Sequence, residues 1–210
     1  MLTENDLKIH WTQLHQPLTI DTSLVDYQFE YLTMLYGGSQ RTYHNLTHLR
    51  QLISLLETHK AAISDPEAVL FAIFFHDMEY NILFKDNEEQ SAKAAERHLQ
   101  QIYYPAEKIT MVSEFILATK THINTLNNRD LDYFLDFDLA ILGTAPEEYQ
   151  EYARQIRAEY IIYPDPVYKP GRKRLLQRFL EAPAIYHTPA FRELYETRAR
   201  QNIQAEIDTL

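Results

Sequence analysis

A chain of 210 residues with 20 Lys and Arg against 30 Asp and Glu carries a formal charge of −10, which argues against a broad nucleic-acid surface, because such binding rests on phosphate neutralisation. The length suits one domain, or a domain with an appended lobe, and it is enough to bury a substantial core. No cysteine is present, so disulfides and thiolate metal sites are excluded, and any metal site must be built from His, Asp and Glu.

The chain opens on "MLTENDLKIHW", with no basic segment leading into an apolar one, so no secretory leader is expected. Thr3 and Asp21 stand as N-caps before two amphipathic runs, and Gly37-Gly38 stops the second where a C-cap glycine belongs. After the loop "SQRTY", Leu49, Leu52, Ile53 and Leu56 recur at helical spacing. Asp65-Pro66-Glu67 reads as a cap followed by proline at the first helical position. It opens the run that ends in His76-Asp77. The longest apolar stretch in it, Ala68 to Phe75, is far shorter than the roughly 20 residues of a membrane span. Asn87-Glu88-Glu89 opens another helix with acids in its first turn. Helices are then expected from Pro105 to about His122, Leu131 to Leu142, Pro146 to about Tyr163, Gly171 to Leu180 and Thr188 to about Ile207. The Tyr/Pro-rich "YIIYPDPVYKPG" reads as an ordered loop. With no alternation long enough for a sheet, the expectation is an all-α, cytoplasmic protein of nine to eleven helices in a single domain, 1–210.

Three of these helices carry ionisable groups where their own pattern calls for apolar ones. "VLFAIFFHDM" is apolar on nearly every face, which marks a buried helix, so a carboxylate at Asp77 needs a positive partner. An arginine or a capped neighbouring helix would serve as well as an ion. His48 lies four residues before Leu52 and seven before Leu55, on their inward stripe, and His44 lies one turn earlier. In "DLDYFLDFDLAILG", Asp138 shares a face with Phe134, Ile141 and Leu142, whereas Asp132 and Asp136 share another. One divalent cation would satisfy all three helices, since imidazole and carboxylate are good ligands for first-row metals. Mn, Fe, Co, Ni, Zn and Mg all stay in play. Asp136 is an alternative to Asp138 as the ligand.

These residues, in this order, resemble the HD superfamily of metal-dependent phosphohydrolases, whose pattern is a His, a His-Asp pair closing a buried helix, and a later Asp. His48, His76-Asp77 and Asp138 match it. "YHNLTH", "IFFHDMEYN" and "DLAI" are also similar to segments of the cyclic-nucleotide phosphodiesterase branch. "NEEQSAKAAE", "LATKTH" and "GRKRLLQRFL" look most like a bacterial group of HD phosphohydrolases of about this length. The motif-bearing part covers about 41–142, with helices from 146–207 expected to pack on it.

The resemblance implies a phosphohydrolase of an HD-type helical bundle. His48, His76, Asp77 and Asp138 would hold a divalent metal, His44 would protonate the leaving oxygen, and Asp77 would serve as general base. Its substrate would be a small phosphorylated molecule, a phosphomonoester, a phosphodiester or a nucleotide, with no membrane partner. Tyr80 stands where the phosphodiesterases place a further His, and only His122 follows as an extra ligand before Asp138. That pattern implies one tightly held ion and leaves room for a second held by carboxylates and water. Glu88 or Glu89 would orient metal-bound water, or simply complement a helix N-terminus. Arg172, Lys173 and Arg174 fall in an expected first helical turn. There Arg172 and Arg174, with Arg41, are candidates for a phosphate site, against a plain solvated basic face. An HD-type iron oxygenase, a non-catalytic nucleotide- or partner-binding module and a purely structural metal are the competing readings.

Overall fold

The computed structural model describes residues 3–19 and 21–210, and among them it contains helices and no strands. The chain divides into two compact units, the first ending at Phe134 and the second running from Leu135 to Leu210.

In the first unit, α1 (Glu4–His15) starts on a reciprocal capping box. The Thr3 hydroxyl accepts from the Asp6 backbone N–H, and the Asp6 carboxylate accepts from the Thr3 N–H. α2 (Thr22–Tyr36) is capped by Asp21 and ends at Gly37. α3 (Leu46–His59) buries His48, Leu49, Leu52, Ile53 and Leu56 along one stripe. α4 (Pro66–Phe75) is capped by Asp65, has proline in its first turn, and buries every residue from Ala68 to Phe75. α3, α5 (Asn87–Gln101) and α6 (Ala106–Ala118) all pack against α4. A helix enclosed in this way must be apolar all round, and each of its phenylalanines stabilises the fold by roughly 1.5–3 kcal/mol through burial. Its C-terminal end therefore delivers His76 and Asp77 from a rigid, dry support.

α7 (Arg129–Leu139) begins in the first unit, and the division falls within it. Near its start the buried Asp130 accepts hydrogen bonds from the backbone N–H groups of Ser64 (2.8 Å) and Asp65 (2.7 Å), which fixes the entry to α4.

The second unit holds a 3₁₀ turn (Ala140–Gly143), α8 (Pro146–Glu159), α9 (Asp165–Glu181), a short α10 (Pro189–Phe191), a π-helical turn (Arg192–Glu196) and α11 (Thr197–Thr209). Gly143 is the point of closest approach. A Cβ there would come within 2.5 Å of the Tyr195 Cβ and 2.9 Å of the Tyr186 hydroxyl.

Element boundaries differ most from the sequence reading at α9 and α6, while α7 gives way to the 3₁₀ turn after Leu139 and α8 ends at Glu159. α9 begins at Asp165, not at Gly171, so half of the expected loop "YIIYPDPVYKPG" is helical despite Pro170. Tyr168, Arg172 and Leu176, spaced by four, are buried along one face, and that tertiary burial outweighs the hydrogen bond that Pro170 cannot donate. α6 stops at Ala118, and His122 follows it in the left-handed region with φ 54°.

Candidate metal centre

The turn that carries His44 is closed by its own residues. The Asn45 amide donates to the carbonyls of Arg41 (3.2 Å) and Thr42 (2.8 Å) while its Oδ1 accepts from the Thr47 N–H (2.7 Å), capping α3. His48 follows in the first turn of α3, buried. His76 caps the C-terminus of α4, also buried, and Asp77 follows it half-buried.

Three ligating groups come together. One potential ligand atom each from His48, His76 and Asp138 lies within 4.8 Å of the other two, with both histidines buried and Asp138 half-buried. The two imidazole Nε2 atoms are 3.2 Å apart. Asp77 joins the same pair of nitrogens, its Oδ2 lying 3.1 Å from His76 Nε2 and 3.8 Å from His48 Nε2. His76 Nδ1 is 2.9 Å from the Ile73 carbonyl, a contact that requires the proton on Nδ1 and makes Nε2 the coordinating atom. A neutral imidazole in that tautomer turns an electron pair toward the Asp77 oxygen and toward the second imidazole. A positive charge among the three relieves the meeting of that electron pair with the Asp77 carboxylate. A divalent cation held by two imidazoles and carboxylates supplies that charge, so the residues fit a metal.

His44 lies beside this cluster, half-buried, with its ring 5.9 Å from that of His48 and 4.6 Å from that of Tyr80. The choice left open between Asp136 and Asp138 is resolved by geometry. Asp136 is fully buried, and its carboxylate accepts from the His187 N–H (2.6 Å), the Thr188 N–H (2.8 Å) and the Thr188 hydroxyl (2.7 Å). Burial raises its pKa, and those hydrogen bonds oppose the rise. Asp136 is a structural cap for the second unit.

The remaining candidates lie elsewhere. Glu88 and Glu89 sit in the first turn of α5, where Lys120 approaches both, at 3.7 and 2.5 Å. The Lys120 hydrogen bond holds the Glu89 carboxyl below its usual range. His122 is not in the group of converging ligands. Arg172, Lys173 and Arg174 are not in a first helical turn, because α9 starts at Asp165. The Arg172 guanidinium is buried and pairs with both Glu206 oxygens, at 2.8 and 3.1 Å, and Tyr149 donates to the same carboxylate at 2.6 Å. Arg172 is thus part of the packing of α9 on α11, whereas Arg174 is exposed. Arg41 donates to main-chain carbonyls of the His76-Asp77 turn.

Sequence reasoning passed over a second buried histidine pair. His15, at the end of α1, and His98, on α5, meet with their Nε2 atoms 2.7 Å apart. His15 lies four residues after Trp11 and eight after Leu7, both fully buried. That helical stripe is the signal by which it could have been found.

No helix of the described residues is long and apolar enough to cross a membrane. Comparison of the chain with protein-family models, with curated proteins and with solved structures gives no match.

Proposed function

We propose that the protein is an HD-type, metal-dependent phosphohydrolase that cleaves a phosphate ester of a small molecule with water. The observation that carries the reading is the convergence of His48, His76 and Asp138, from three separate helices, within 4.8 Å, with Asp77 against the same imidazoles. The order of these residues along the chain supports it further, because it is the order of the HD pattern.

His48, His76, Asp77 and Asp138 would hold the ion. Once bound, it supplies an acidified water and an electrophile for a phosphoryl oxygen. The chain's own residues do the rest. Water oxygen bonds to phosphorus as the ester P–O bond breaks. Asp77, half-buried at the edge of the cluster, takes the proton from the attacking water. His44, whose ring stands beside that of His48, gives its proton to the leaving alkoxide or phosphate oxygen. Burial of His48 and His76 keeps bulk water from competing for the ligands.

Elemental analysis of the purified protein beside Asp77→Ala, followed by phosphate release from a generic ester with each recovered metal, tests the proposal. The expected result is near-stoichiometric metal in the wild type, its loss in the variant, and metal-dependent hydrolysis. Stoichiometric iron without hydrolysis would favour the oxygenase instead. No metal after reconstitution would mean that the inward histidines and aspartates are satisfied by the protein itself, and the reading would fall.

A further inference from the structure

We infer that Arg41 is a positioning residue of the metal centre, fixing the backbone of the His76-Asp77 turn and the ring of His44 rather than binding substrate phosphate. The inference rests on the reading that the site holds an ion.

Arg41 occupies the turn before α3, 36 residues from Asp77 along the chain, yet its guanidinium is spent on that second segment. One terminal nitrogen donates to the Asp77 carbonyl at 2.6 Å, and the other donates to the Met78 carbonyl at 2.7 Å. Charge-assisted bonds of that length to two successive carbonyls fix the orientation of both peptide planes. Tyr36 completes the hold. Its hydroxyl accepts from the Asp77 N–H and donates to the Phe74 carbonyl, each at 3.2 Å. The Arg41 guanidinium also lies over the Tyr36 ring, at 5.0 Å. The stretch from Phe74 to Met78 is therefore held at four main-chain atoms by two side chains. With its N–H and its carbonyl both fixed, Asp77 has a set Cα–Cβ direction, so its carboxylate starts from the side of the imidazoles.

The same guanidinium reaches His44. It lies over the Tyr80 ring at 5.3 Å, and that ring packs on the His44 ring with centroids 4.6 Å apart. A weaker contact, 3.5 Å, runs from Arg41 to the His44 carbonyl. One side chain thus sets the ligand that faces the ion and the ring that would face the leaving group. Such partners behind a metal ligand are worth about 10–100-fold in metal affinity or activity. A phosphate-binding arginine needs its fork turned toward the ligand, whereas both terminal nitrogens here are bonded to carbonyls.

Cobalt(II) titration followed by visible absorbance, on wild type, Arg41→Ala, Arg41→Lys and Tyr36→Phe, reads this directly. It is paired with kcat and KM for p-nitrophenyl phosphate and with thermal melts. Arg41→Ala should weaken cobalt binding about 10–100-fold and lower kcat with KM nearly unchanged. Arg41→Lys, which keeps the charge but cannot satisfy both carbonyls with a planar fork, should fall between, and it carries the test if the alanine variant does not fold. Tyr36→Phe should show the same direction with a smaller loss. Unchanged cobalt affinity with a lower Tm would overturn the inference and reduce Arg41 to a helix cap. Unchanged cobalt affinity with a raised KM would overturn it in favour of a phosphate contact. A wild type that binds cobalt and hydrolyses no ester would sink the phosphohydrolase reading while the affinity series still supports Arg41. A wild type that binds no cobalt would overturn both.

Discussion

The first unit buries two histidine pairs, and they are built alike at one ring. His76 and His15 each place Nδ1 against a carbonyl of their own helix, at 2.9 Å from Ile73 and 2.7 Å from Trp11, and each turns Nε2 to the Nε2 of a second histidine. What surrounds them differs. Around His48 and His76 stand the carboxylates of Asp77 and Asp138. Around His15 and His98 stand the rings of Trp11, Phe71 and Phe75. In the aromatic setting a shared proton suffices, since His98 Nε2–H can donate to His15 Nε2 over 2.7 Å, and burial pushes the pKa values of His15 and His98 down to about 4 and about 3. In the carboxylate setting the two anions favour a cation among the rings. Two imidazoles face to face do not by themselves suggest a metal site; the anions beside them make this pair the candidate.

The largest effects that could break this contrast lie in the carboxylates. Asp138→Asn should cost on the order of 100-fold or more in cobalt affinity, while Asp136→Asn, two residues away, should leave it unchanged. Asp136→Asn should instead lower stability by about 1–3 kcal/mol, because a buried, triply bonded acceptor is weakened. Cobalt titrations and urea melts of the two variants separate the roles, and equal metal loss in both would erase the distinction.

Next in size is the aromatic pair. His98→Ala removes the donor to His15 and leaves a hole beside Trp11, for a loss of about 2–4 kcal/mol in urea denaturation with full metal content. Metal lost in proportion to stability would show that the two pairs are not independent.

The smallest effect near neutrality, and the one that sharpens the contrast, is its pH dependence. His15 and His98 have folded-state pKa values below the ordinary 6.5, so between those values the unfolded chain binds more protons than the folded one. Their contribution is therefore fully present above about pH 6.5 and is lost as pH falls toward about 4. Urea midpoints measured from pH 7 to pH 4.5 should decline in wild type and more gently in His15→Phe/His98→Leu. Parallel curves would mean that the pair is not held neutral by burial.

Much of the architecture was legible because it is written locally. Thr3, Asp21 and Asp65-Pro66 announce helix starts, and the unbroken apolar run Ala68 to Phe75 announces the buried helix that presents His76 and Asp77. The candidate ligands His48, His76 and Asp138 could be read because each interrupts an apolar stripe. Non-local contacts stayed hidden. The start of α9 was missed because Pro166 and Pro170 argue for a loop, and only the burial of Tyr168, Arg172 and Leu176 overrides them. The placing of 172–174 in a first turn fails for the same reason, and nothing near Arg172 in sequence announces Glu206. Asp130 passed without notice because its partners, Ser64 and Asp65, are more than sixty residues away.

The two arms of the candidate metal centre differ in what they ask of an unfolded chain. The turn from Arg41 to His48 is stapled by Asn45 through bonds spanning two to four residues, whereas His48 and His76 must find each other across a separation of 28. With loop-closure entropy growing as the logarithm of length, the second encounter costs about 2 kcal/mol more than the first. The order of assembly follows from polymer statistics. The His44–His48 turn can close by itself, and the long-range pairing with His76 waits for α3 and α4 to meet.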